Sequence, residues 1–187
     1  VIDLRVERDL TREELRALAS DLAGRPGDWR HLVHHDPKLR TYAQLRRDEH
    51  VAVWLICWMD DHDTGFHDHD VSCGALAVAE GSVIEERLAL GGSPLRQHVR
   101  AGDAIDFAAA DIHRVAHAGD GPAITINAYS PPLWRMGAYE TTSRGELRRH
   151  SISYVEELRP LGGLAAPGST PPEGEAVTSG TARVAAR

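Results

Sequence analysis

The chain has 187 residues, enough for one domain with a sizeable core, and its 42% hydrophobic and 26% charged residues are those of an ordinary globular protein. The net charge of -7 argues against nucleic acid or an anionic membrane surface as a partner, since either would favour a basic patch. No apolar run approaches the ~18 residues that span a bilayer, and two cysteines, Cys57 and Cys73, make no disulfide framework. The first residues, Val1-Ile2-Asp3-Leu4-Arg5, lack the basic-then-apolar order of a signal peptide, so the expected compartment is a reducing cytoplasm.

Thr11-Arg12-Glu13-Glu14 matches a capping box, and Leu10, Leu15, Leu18 and Leu22 recur at roughly helical spacing. These predict a first helix over 11–23, ended by Arg25-Pro26-Gly27. Asp28 is a candidate cap for a second helix carrying Trp29, Leu32 and Val33, stopping near Pro37. Residues 41–46 read as a third short helix or a strand entry. From Val51 the pattern changes to short apolar runs separated by Gly, Asp, Ser and Pro: Val51–Met59, Gly74–Ala79, Ser82–Leu88, His98–Val99, Ala104–Phe107, Arg114–Ala116, Ile124–Tyr129 and Ser151–Val155. Many short strands at this spacing predict a mainly β fold, a double-sheet jelly-roll barrel. Glu85, Glu86 and Arg87 alternate poorly with apolar residues, so their strand reads as half exposed. Residues 131–149 read as loop-rich, with Trp134, Met136 and Tyr139 packed on the barrel. The organisation is therefore a helical N-terminal segment at 1–50, a barrel at 51–159 and a Pro/Gly-rich tail at 160–187. The tail lacks the apolar surface to offset its ordering entropy and is expected to be dispensable for chemistry.

The candidate chemistry lies in Gly65-Phe66-His67-Asp68-His69-Asp70. In an extended strand, residues two apart point to the same face, so His67 and His69 can present two imidazoles to one metal. Imidazole suits iron, zinc, copper and nickel. Two solvated histidines in an acidic loop are the bland alternative, because Asp60, Asp61, Asp63, Asp68 and Asp70 crowd the region. A third histidine, His113, lies between two predicted strands. Cys73 and Gly74 stand where many barrels of this kind place a carboxylate ligand, and alternation turns Asp70 away from the metal. Three neutral imidazoles would leave a divalent charge uncompensated, favouring an anionic thiolate as the next ligand. His34, His35, His98 and His150 sit in polar contexts and read as surface residues.

Gly65 to His69 followed by Glu80-Gly81, then Gly102-Asp103-Ala104-Ile105 with Ile112-His113-Arg114-Val115, then Tyr129-Ser130-Pro131-Pro132, resembles the cysteine dioxygenase family of cupins. The likeness runs over about 29–139, and bacterial members are the most similar in appearance. The resemblance implies a cupin-type double-stranded β-helix with N-terminal helices. It implies one Fe(II) held by His67, His69 and His113, with O2 as co-substrate; nickel or zinc is possible in the protein as isolated. Such enzymes add both atoms of dioxygen to a small thiol, often an amino acid, and make a sulfinate. The resemblance places the Tyr129 phenol over the substrate and suggests a cis bond at Ser130-Pro131. Some members crosslink this tyrosine to a cysteine at the position of Gly74, and Cys73 could substitute only with a different local backbone.

Two departures stand out. Tyr42-Ala43 is followed by Gln44, where cysteine-specific members carry an arginine that clamps the substrate carboxylate. Gln44 and Tyr42 are therefore the candidate substrate-binding residues with Tyr129, and Arg46 or Arg47 are possible stand-ins for the missing charge. Members that oxidise 3-mercaptopropionate carry glutamine there. The family's hydroxyl–imidazole–phenol relay reads here as Thr125, Asn127 and Tyr129, the candidate catalytic residues. Alternation keeps them on one face, but an amide cannot exchange a proton as imidazole does. The leading expectation is an iron thiol dioxygenase. The alternatives are a divergent oxidase giving another product and a non-enzymatic cupin that binds metal or a small molecule.

Overall fold

The run Val51–Trp58 is buried along its whole length, with no polar face. Such a strand must be covered on both sides, and the computed structural model, which describes residues 6–89, 91–141 and 147–153, shows what covers it. The run forms β2 (Ala52–Trp58), preceded by α1 (Arg12–Ala23) and β1 (Thr41–Arg47). Then come β3 (His67–Asp68), β4 (Cys73–Glu80), β5 (Ser82–Arg87), β6 (Leu95–Arg100), β7 (Ala104–Phe107), β8 (His113–Ala118), β9 (Ala123–Ser130), β10 (Arg135–Thr141) and β11 (Leu147–Ser153). The strands make two antiparallel sheets, in the orders β1-β2-β9-β4-β7 and β11-β10-β3-β8-β5-β6. This is the double-sheet jelly roll that the strand spacing predicts, and the double-stranded β-helix that the resemblance implies.

Alternation divides β2 between two cores. Trp54, Ile56 and Trp58 face the space between the sheets, where they meet Val83, Val99, Phe107, Val115 and Met136. Val53, Leu55 and Cys57 face outward into a second core with Ala75, Ala77, Ile126 and Ala128, which α1, packed across β9, β4 and β7, closes with Leu15, Ala19 and Leu22. These helix residues lie at i, i+4 and i+7, on one face. Each leucine so buried contributes roughly 1.5–3 kcal/mol. The capping box is present: the Thr11 hydroxyl accepts from Glu14 N–H, and the Glu14 carboxylate takes the Thr11 N–H at 2.8 Å.

Four expectations change. The second helix is two short 3-10 turns, Pro26–Asp28 and Arg30–Leu32; the Trp29 indole between them donates to the Leu22 carbonyl at 2.8 Å and is spent on packing. Residues 41–47 are a full strand of the first sheet, so the barrel begins inside the segment read as 1–50. The stretch read as loop-rich contains β10, which pairs with β3 and β11. Met136 is buried there and Tyr139 partly so, but Trp134 is 70% exposed. The tail at 160–187 lies outside the described residues. Among the described residues, no helix is long and apolar enough to cross a membrane.

Candidate metal centre

Strand pairing brings the three histidines together. β3 and β8 run antiparallel with His67 directly opposite His113. His69 follows the end of β3, where its N–H donates to the Ala109 carbonyl at 3.3 Å and its ring stacks on Phe107 at 4.6 Å. The ring centroids are 4.9 Å apart for His67 and His69, 4.7 Å for His67 and His113, and 5.1 Å for His69 and His113. One nitrogen of each ring lies within 4.8 Å of the others. All three side chains are buried.

The outer nitrogens decide which atoms face inward. His67 Nδ1 meets the Gly65 carbonyl at 3.0 Å, and His113 Nδ1 meets the Glu85 carboxylate at 2.7 Å. Donation at Nδ1 leaves Nε2 of each ring with its lone pair inward. His113 Nε2 and both ring nitrogens of His69 are buried without a hydrogen-bond partner. An unsatisfied buried polar atom costs about 1–3 kcal/mol, and a cation taking one lone pair from each ring removes that penalty at His113 Nε2 and at one nitrogen of His69. The residues fit a metal. Burial, and then the neighbouring His113, hold the His67 imidazolium down to about 3, and burial with the adjacent rings pushes His69 well below its usual range. Both are therefore neutral at pH 7, the form that binds a metal.

Among the described residues, no carboxylate joins the cluster. Asp70 turns outward to the Arg135 guanidinium at 2.9 Å and to Arg149 at 3.3 Å. Asp68 accepts from Tyr139 at 2.6 Å and from Arg149 at 2.7 Å. Cys73 pairs with Ser130 in the sheet and faces outward, its Sγ 3.3 Å from the Ser130 carbonyl. It therefore cannot substitute for the crosslinking cysteine. A Cβ at Gly74 would lie 2.7 Å from Phe107 Cζ and 2.9 Å from Tyr129 Cδ1, so Phe107 fills the space such a side chain would need.

The centre opens into a cavity between the sheets, bounded by Trp54, Ile56, Trp58, Leu76, Phe107, Val115, Leu133 and Met136. Its polar members are Arg40, Thr64, His67, His113, Asn127 and Tyr129. Thr125, Asn127 and Tyr129 form a chain as alternation predicts. Trp58 Nε1 donates to the Thr125 hydroxyl at 3.0 Å, Thr125 donates to Asn127 Oδ1 at 2.7 Å, and Asn127 Nδ2 lies 3.4 Å from the Tyr129 oxygen. An indole N–H can only donate, so the chain has one direction, which ends with the phenol oxygen accepting. Ser130 serves the scaffold: its hydroxyl accepts from Leu10 N–H at 2.8 Å and donates to the His50 carbonyl at 2.6 Å. The Ser130-Pro131 bond is cis.

The candidate clamp positions Tyr42 and Gln44 stand on β1 opposite Ile56 and Trp54. Gln44 is exposed, and Tyr42 packs edge-on against Trp54 at 5.9 Å; neither lines the cavity. A bulge between Gln44 and Arg46 breaks the register of β1. Arg46 pairs with Asp48, and Arg47 donates to the Leu133 carbonyl at 3.3 Å. The guanidinium at the cavity belongs to Arg40, just before β1. It donates to the Asp63 carbonyl at 3.0 Å and lies over the Trp58 ring at 5.3 Å. Sequence reasoning missed Arg40, since no periodicity marks which of several nearby arginines turns inward. It also missed Glu85, which is 2% exposed and not on a half-exposed face. The available signal was Val83 and Glu85 sharing one face of β5.

The profile of the family described as "Cysteine dioxygenase type I" matches residues 2–142. No curated protein matches the sequence. Among solved structures, TT1209 from Thermus thermophilus is similar with a TM-score of 0.50 and 17% identity, over 55% of this chain and 93% of that one. A double-stranded β-helix protein from Klebsiella pneumoniae gives 0.48 and 13%, over 64% and 91%. A cupin superfamily protein from Desulfitobacterium hafniense gives 0.47 and 13%, over 55% and 87%. At such identities the first of these speaks for the fold alone, and the function class rests on the family match together with the three-histidine cluster. With three quarters of its length matched, and a metal-ligand cluster inside a double-stranded β-helix, this chain belongs to the cysteine dioxygenase type I family.

Proposed function

We propose that the protein is a mononuclear iron thiol dioxygenase that oxidises a small thiol bearing an anionic group to its sulfinate. One observation carries the reading. Three imidazoles converge, with no carboxylate among the described residues, and two of them, His67 and His113, line an apolar cavity whose described polar lining includes a phenol and a guanidinium but no acid. Ferrous iron at these nitrogens would supply an electrophilic site for a thiolate and for dioxygen, its charge uncompensated by the protein ligands. Both oxygen atoms end on sulfur, which gives up four electrons while dioxygen takes up four, so no external reductant is needed.

The chain's own residues supply the rest. The apolar wall excludes water and strengthens every electrostatic contact within it. Arg40 offers a positive charge for the substrate's anionic group, in place of the exposed Gln44. Tyr129, whose oxygen accepts from Asn127, is the phenol at the cavity, and we assign it the donor that stabilises negative charge developing on the reacting sulfur and oxygen. The substrate is a small thiol such as an amino acid.

The test is anaerobic reconstitution with Fe(II), followed by oxygen uptake with cysteine, 3-mercaptopropionate and cysteamine, and mass spectrometry of the products. The reading expects thiol-dependent uptake and a sulfinate from at least one anionic thiol, both abolished by His113→Ala. Uptake with a different product favours a divergent oxidase. Metal binding without uptake favours a binding protein.

A further inference from the structure

Glu85 is buried on β5, between β8 and β6, and is not among the residues lining the cavity at the metal centre. In the pairing of β5 with β8, Glu85 stands opposite Val115 and Arg87 opposite His113. Glu85 and His113 are thus diagonal neighbours, within reach of long side chains on one sheet face. The carboxylate is held on every side. Its Oε1 accepts from His113 Nδ1 at 2.7 Å and from Arg87 at 2.9 Å, and its Oε2 accepts from the Gln97 amide at 2.6 Å. Arg87 is held in turn by the Asp111 carboxylate at 3.1 Å and by the Asp106 carbonyl at 3.1 Å.

The three histidines therefore differ in what stands behind them. His113 has a carboxylate and His67 a backbone carbonyl, while no hydrogen-bond partner reaches either ring nitrogen of His69. We propose that Glu85 is a positioning residue of the metal centre: it fixes His113 as the Nδ1–H tautomer and supplies, from behind the ring, the negative charge that the direct ligands lack. Arg87 does not cancel that charge, because Asp111 shares it; the three side chains carry one more negative charge than positive. A carboxylate behind a ligating imidazole orients the ring and makes it a stronger donor. The usual carboxylate position among the ligands is vacated by Cys73 and Gly74, and Glu85 returns a carboxylate one residue further out.

The inference rests on the metal-centre reading and not on the thiol reaction, so its test does not use turnover. Metal-free wild type and Glu85→Gln are titrated with cobalt(II) against a competing chelator, and the Fe(III)/Fe(II) potential is measured on the iron forms. The expected results for Glu85→Gln are a cobalt Kd weaker by about 10–100-fold, a changed cobalt absorption spectrum and a higher potential. A purely structural role would lower the melting temperature of the metal-free protein while leaving Kd, spectrum and potential of the folded protein unmoved; that result overturns the proposal. Arg87→Met is the second variant and decides the matter if Glu85→Gln does not fold. It removes the positive charge sharing Glu85 Oε1, so the potential should fall; no shift, or a rise, overturns the proposal. Absence of cobalt binding in wild type would instead remove the metal-centre reading itself, and the proposal with it.

Discussion

Asn127 Nδ2 lies 3.4 Å from the Tyr129 oxygen, and Asn127 Oδ1 takes the Thr125 hydroxyl at 2.7 Å. The amide is therefore oriented by the residue behind it and presents a donor to the phenol. It cannot carry a proton away. Tyr129→Phe should lower turnover by roughly 10²-fold, the scale for loss of one charge-stabilising donor, with little change in metal content. Asn127→His should alter the pH profile more than thiol affinity. Steady-state oxygen uptake across pH for both variants checks this; an unchanged pH profile in Asn127→His shows that the position carries no proton in either form.

Arg40 and Gln44 make opposite predictions. A hydrogen bond to a charged group contributes about 1.5–3 kcal/mol, so Arg40→Gln should raise the KM for a carboxylate-bearing thiol by roughly ten-fold or more. Cysteamine, which has no anionic group beyond sulfur, should be unaffected. Gln44→Arg should leave the substrate ranking untouched, because Gln44 is exposed and off the cavity. Comparing KM for cysteine, 3-mercaptopropionate and cysteamine in the two variants separates these roles.

Removing the metal should make the protein acid-sensitive. In the unfolded chain the His67 and His69 imidazoles protonate near their usual 6.5, whereas folded His67 waits until about 3. Between these values the unfolded state binds more protons, so stability falls as pH falls, by up to ~1.4 kcal/mol per pH unit per histidine. Burial alone would raise the Glu85 carboxyl, but hydrogen bonds from His113 and Arg87 hold it at about 2. Its contribution is present above its usual 4.5 and is lost toward 2, the same direction. Denaturant titrations of chelated protein from pH 7.5 to pH 4 should show this loss, and a flat profile would contradict it.

The metal loop is anchored to the last described hairpin by Asp68 and Arg149. Arg149 Nε donates to Asp68 Oδ2 at 2.7 Å, beside Gly137, where a Cβ would lie 2.6 Å from the same oxygen. Arg149→Leu should cost about 1.5–3 kcal/mol, the scale of a hydrogen bond to a charged group, since Asp68 is left buried with fewer donors. Gly137→Ala should destabilise by a similar route. Chemical denaturation of metal-free variants measures both, and wild-type stability in Arg149→Leu would show that the loop is held by other contacts.

Period-two alternation made much of this legible in the sequence. It placed His67 with His69, and Thr125 with Asn127 and Tyr129, and the continuous apolar run of β2 required cover on both sides. Alternation reached its limit at the edge of the sheet. It places Gln44 opposite the inward Trp54 but does not show that the end strand leaves Gln44 exposed, and Arg40 precedes β1, so neither the exposure of Gln44 nor the place of Arg40 at the cavity could be read locally. β10 was hidden because Pro131 and Pro132 precede it and Gly137 interrupts it like a loop; its strand character comes from pairing with β11, the next strand, and with β3, which is distant in sequence. Glu85 was misread because an acidic residue normally marks the wet face of a strand. Its burial is explained by partners that only the sheet brings to it, His113 and Gln97 from the neighbouring strands, together with Arg87.

The most direct measurement is the fate of oxygen. Iron-reconstituted protein, a carboxylate-bearing thiol and isotope-labelled dioxygen are mixed, and uptake is followed together with product mass. The account predicts that one dioxygen is consumed per thiol and that both labelled atoms are in the sulfinate. Labelled product with one oxygen atom, a disulfide as the sole product, or no thiol-dependent uptake by iron-loaded protein would contradict it.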